Sequence, residues 1–130
     1  MAFQCTMVTP EEQAFDASIT QAIIPAHDGL LGVLTDRAPL LVKLGAGPLR
    51  LDLPDGKKRF FFIDGGVAQM KDNRLTILTT ESQAAEEIDY ESARAEYQEA
   101  AARRALDEAG AQQRQHLMAR AKARQELARK

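Results

Sequence analysis

Over the first two thirds of the chain, apolar positions come in short runs broken by turn residues. Phe3, Cys5 and Met7 alternate with polar neighbours until Thr9-Pro10. Ser18 to Ile24 is rich in β-branched residues and is expected to form one strand ending at Pro25. Leu30 to Leu34 and Leu40 to Leu44 are bounded by Gly or Pro. Leu49, Leu51 and Leu53 alternate with Arg50 and Asp52, as a half-buried strand requires. Pro54-Asp55-Gly56 supplies a turn and Phe60 to Ile63 follows, so 49–63 reads as a hairpin. Val67 to Met70 and Leu75 to Thr79 flank a turn at Lys71-Asp72-Asn73. Short strands with regular turns predict an antiparallel β-sandwich over residues 1–87.

The period then changes. Tyr90, Ala93, Tyr97, Ala100 and Ala101 recur at spacings of three and four, which predicts a helix opening at Ile88-Asp89 with Asp89 as its N-cap. Gly110 suits the end of this helix. A second helix, roughly 112–129, carries Leu117, Met118, Ala121 and Leu127. The expected architecture is therefore mixed: an N-terminal β-sandwich, then an antiparallel two-helix hairpin over 88–130. The hairpin has few large apolar residues, namely Ile88, Tyr90, Tyr97, Leu106, Leu117, Met118 and Leu127. A buried Leu or Met contributes roughly 1.5–3 kcal/mol and an Ala much less, so loose attachment to the sandwich is expected.

Composition agrees with this division. Seven of the eight glycines and all five prolines fall in 1–87, whereas 88–130 holds 12 alanines. The net charge of -2 is a cancellation. The sandwich carries -4, residues 88–110 carry -3, and residues 111–130 carry +5. The cations of the last segment include Arg114, Arg120, Lys122 and Arg124. On charge alone they form a solvated helix face or attract an acidic surface.

Candidate chemistry is sparse. Cys5 is the sole cysteine, so no internal disulfide is possible, and neither a metal site nor a cofactor is expected. No apolar run is long enough for a transmembrane helix, and the first residues lack the pattern of a signal peptide. No P-loop, dinucleotide loop or nucleophile elbow occurs. His27 beside Asp28 reads as a turn, and Lys57-Lys58-Arg59 as a solvated loop. The near-neutral total gives no reason to expect nucleic acid as a partner. These residues describe a non-enzymatic interaction protein, and a free-standing adaptor with a coiled-coil hairpin fits them.

Several segments in order resemble the epsilon subunit of F-type ATP synthases, called delta in mitochondria. They are Met7-Val8-Thr9-Pro10-Glu11, Ala22-Ile23-Ile24-Pro25, Asp28-Gly29-Leu30-Leu31-Gly32-Val33-Leu34 and Ala38-Pro39-Leu40-Leu41. Gly65-Gly66-Val67-Ala68, Asn73-Arg74-Leu75-Thr76-Ile77-Leu78 and Ile88-Asp89 complete the set.

The resemblance implies a non-catalytic central-stalk (rotor) subunit of a proton-translocating synthase. It would bind the gamma subunit and the c-ring as a peripheral membrane protein, on the cytoplasmic face if bacterial. Asp28, Gly29, Leu30, Leu31 and Gly32 would form the c-ring-facing loop, and Arg37, Ala38, Pro39 and Leu40 would face gamma. The hairpin would either dock on the sandwich or extend along gamma and restrain ATP hydrolysis. Arg114, Arg120, Lys122 and Arg124 would then meet acidic segments of the catalytic beta subunits. Two positions depart from the family pattern. Arg37 stands where a histidine is frequent, and Ser92 stands where some bacterial members have an ATP-binding arginine. In Ile88-Asp89-Tyr90-Glu91-Ser92-Ala93 the ATP motif is therefore degenerate, and weak or absent ATP binding is expected.

Overall fold

A computed structural model describes residues 2–104 and 106–128. Ten strands come first: β1 (Phe3–Val8), β2 (Gln13–Ile19), β3 (Gln21–Ala26), β4 (Gly29–Leu34), β5 (Leu40–Lys43), β6 (Ala46–Asp52), β7 (Lys58–Asp64), β8 (Val67–Lys71), β9 (Arg74–Leu78) and β10 (Ser82–Ala84). A single 3-10 turn, Ala85–Glu87, leads to helices α1 (Tyr90–Ala102) and α2 (Glu108–Ala128). The strands form two five-stranded sheets, ordered β2-β1-β9-β8-β5 and β10-β7-β6-β3-β4. Every pairing is antiparallel except β1 with β9. The expected sandwich followed by two helices is thus the observed architecture.

Alternation builds the core. β1 buries Phe3, Cys5 and Met7 and half-exposes the residues between them, and β6 buries Gly47, Leu49 and Leu51 in the same rhythm. The side chains of Phe3, Cys5, Met7, Leu49 and Leu51 meet Ile19, Ile24, Val33, Phe61, Ile63, Met70, Leu75 and Ile77 between the sheets. Burial pushes the Cys5 thiol up to about 12, with a further push from Asp16, so it is an inert core residue.

Several boundaries differ from expectation. Ser18 to Ile24 is not one strand: the chain leaves one sheet at Ile19 and enters the other at Gln21. Thr20 marks the crossing, where its backbone N–H and its hydroxyl both donate to the Asp52 carbonyl. Pro25 does not end β3, because the strand continues to Ala26 while the Pro25 carbonyl accepts from Gly45 N–H. Lys58 and Arg59 are not loop residues but open β7, and Arg59 lies 5.0 Å from the Phe61 ring centroid.

Gly110 does not end a helix either. It is the third residue of α2, and its N–H donates to Asp107 Oδ1 at 2.7 Å. Asp107 therefore caps α2 at 108, before the expected start at 112. Asp89 caps α1 as expected, with its side chain accepting from Glu91 N–H.

Candidate functional site

The hairpin lies across β6 and β7, on the face of the sheet that points away from the sandwich core. A satellite cluster forms there from Phe62, Ala85, Ile88, Ala93 and Leu127. Of the large apolar residues expected to hold the hairpin, only Ile88 and Leu127 are buried, and Leu106 is 88% exposed. Apolar packing is as limited as the composition predicts.

Arginines supply much of the remaining attachment. Arg120 donates from Nη1 to Glu81 Oε2 at 2.6 Å and from Nη2 to Glu81 Oε1 at 2.8 Å. Its Nη1 also donates to Asp64 Oδ2 at 2.7 Å. Arg124, buried, donates from Nη1 to Glu96 Oε1 at 2.5 Å and from Nη2 to Gln83 Oε1 at 2.9 Å. Both guanidiniums sit over the Phe62 ring, 5.3 and 5.9 Å from its centroid. His116 Nε2 lies 3.7 Å from the same Asp64 oxygen that Arg120 contacts. Arg120 thus joins α2 to β7 and to the segment before β10, and Arg124 joins α2 to α1 and β10.

The electrostatics follow from the geometry. The paired hydrogen bonds from Arg120 hold the Glu81 carboxyl below the usual carboxylate range, against an opposing effect of burial. The same bonds raise the Arg120 guanidinium further above its ordinary value.

The basic helix is therefore not one solvated face. Arg120 and Arg124 turn inward, Arg114 Nη2 donates to the Ala101 carbonyl at the end of α1, and Lys122 stays exposed. The acceptors Asp64, Glu81, Gln83 and Glu96 escape sequence reasoning, because no local pattern marks them. The available signal was the acidic excess of the sandwich set against the +5 tail.

The other expected residues lie elsewhere. Asp28 is in an exposed turn, but Gly29 to Gly32 belong to edge strand β4 rather than to a loop. Leu30 is 66% exposed, whereas Leu31 packs on the core. Arg37, Ala38 and Pro39 are exposed in the β4–β5 connection, and Leu40 opens β5 opposite Met70. These two groups sit by β4 and β5, which are edge strands of the two sheets, and β4 is the edge opposite β10. Ile88 and Ala93 are packed in the satellite cluster, while Ser92 Oγ donates to Asp89 Oδ2 at 2.8 Å. No group of metal-ligating side chains occurs among the described residues, and no described helix is long and apolar enough to cross a membrane.

Comparison with known proteins agrees with this architecture. The family described as ATP synthase, Delta/Epsilon chain, beta-sandwich domain matches residues 2–85. The ATP synthase epsilon chain of Rippkaea orientalis is 33% identical over 121 residues, covering 92% of this chain and 87% of that one. That of Rhodopirellula baltica is 42% identical over 79 residues, spanning 61% of each chain. Among solved structures, the mitochondrial ATP synthase of Euglena gracilis (an OSCP/F1/c-ring assembly) contains a similar chain. Its TM-score is 0.85 at 26% identity, covering 94% of this chain and 78% of that one. The fold, its inward-packed sandwich and these matches together show that the chain belongs to the delta/epsilon family of ATP synthase central-stalk subunits.

Proposed function

We propose that this chain is a non-catalytic rotor subunit whose sandwich binds gamma and the c-ring and so couples ion flow to ATP synthesis. It works as a peripheral protein held at the membrane through its complex, on the cytoplasmic face if the source is bacterial. Asp28 to Gly32, with exposed Leu30, is the c-ring-facing end, and Arg37 to Leu40 is the gamma-facing segment. No nucleotide cofactor or nucleic acid is part of this role.

The hairpin is the regulatory arm. The observation that carries this reading is the way Arg120 and Arg124 are used in the docked form. A small apolar cluster and two arginine grips hold α2 down. Partly exposed carboxylate–arginine pairs, such as Arg120 with Glu81, contribute modestly and exchange for other acidic partners. Acidic segments of the catalytic beta subunits offer the same chemistry. Engagement there requires release here, so the arm has two exclusive positions.

Reconstitution tests the assembly part. Adding the chain to a complex stripped of its own epsilon subunit should restore coupled ATP synthesis, and the chain should co-purify with gamma. Failure to bind gamma would favour the free-standing adaptor.

A further inference from the structure

The β4–β5 connection and the β8–β9 turn are fastened to each other. Asp36 N–H donates to Asn73 Oδ1 at 2.7 Å, and Asn73 Nδ2 donates back to Asp36 Oδ1 at 3.0 Å. Both residues sit in the left-handed region, with φ of 59° and 57°. Asn73 is the second residue of a tight two-residue turn whose first, Asp72, has φ 53°. Its backbone carbonyl also accepts from Gln4 N–H at 3.3 Å. The Asn73 backbone thus serves the sheet, and its side chain is left to serve the loop.

What the loop carries gives the contact its significance. Arg37, Ala38 and Pro39 follow Asp36 directly, are exposed, and lead into β5, where Leu41 is 71% exposed. A five-residue connection from Leu34 to Leu40 would otherwise sample many conformations, and ordering it on binding costs affinity.

We infer that Asn73, through Asp36, is a positioning residue that pre-organises the segment Arg37–Leu41 for its stalk partner. The inference rests on the gamma-facing reading proposed above. Asn73 itself touches no partner in this account. It fixes the residue just before the docking segment, so that gamma meets an ordered strip.

The turn chemistry supplies a clean test. Asn73→Gly suits the positive φ, keeps the backbone bond to Gln4 and deletes both side-chain bonds. Asp36→Asn tolerates the same backbone and can still offer both the amide N–H and a side-chain oxygen. The probe is a catalytic head containing gamma but depleted of this chain, titrated with the fluorescently labelled full chain. Asn73→Gly should speed exchange of the Asp36 amide and weaken binding by roughly tenfold, about 1.4 kcal/mol. Thermal stability should change little, and Asp36→Asn should bind like the parent. Faster exchange with unchanged affinity would overturn the positioning role while leaving the gamma reading intact. Unchanged exchange would overturn the clasp. If the parent chain does not bind the head at all, the gamma reading fails and this inference falls with it.

Discussion

Arg120 on the last helix holds Glu81, between two strands of the sandwich, in a two-pronged grip of 2.6 and 2.8 Å. The grip is charge-assisted and planar on both sides, which gives it direction as well as energy. It joins elements 39 residues apart in sequence, and Asp64 reinforces it from β7.

Substituting Glu81→Gln removes the charge while keeping the shape. The hairpin should loosen by about 1 kcal/mol or less, because the pair is partly exposed. Amide exchange across α2 should rise up to fivefold, with no change in the β1 and β9 amides. Equal effects in the sandwich strands would mean that Glu81 supports the whole fold instead.

Acid should act in the same way. Arg120 holds the folded-state carboxyl of Glu81 below its unfolded value of 4.5. The stabilisation is therefore fully present above about pH 4.5 and is lost as pH falls through the lower folded value. Exchange in α2 should rise below pH 4.5 in the parent chain and much less in Glu81→Gln.

Gly66 is fixed by space and by backbone. Its φ is 105°, and a Cβ there would stand 1.9 Å from the Leu78 carbonyl oxygen. Gly66→Ala should destabilise the sandwich by about 3 kcal/mol or more, read as a lowered denaturation midpoint. A small change would show that β8 and β9 can part there at little cost.

The Ile88–Ala93 segment should bind ATP weakly or not at all. Ile88 and Ala93 are packed, Asp89 caps α1, and Ser92 donates to Asp89. None of these groups supplies the cation that a triphosphate needs. Millimolar ATP should leave the thermal midpoint unmoved, and a micromolar Kd by calorimetry would contradict the account.

The strands of the sandwich were readable where alternation was strict, as at Phe3-Cys5-Met7 and Leu49-Leu51, because one buried face imposes a period of two. The change of sheets at Thr20 is hidden in sequence, since Ser18 to Ile24 looks like one run from either side. At Gly110 the Asp107 cap outranks the ordinary preference of glycine for helix ends. The basic helix was visible as charge, but its acceptors were not. Glu81 and Asp64 come into register with Arg120 only once β7, β10 and α2 pack together, a relationship that no local spacing encodes.

The most direct measurement is ATP hydrolysis by the assembled complex carrying this chain truncated after Glu87. A regulatory arm predicts that hydrolysis rises while proton-coupled synthesis survives on the sandwich alone. Unchanged hydrolysis with intact coupling would contradict it and leave the hairpin a structural element.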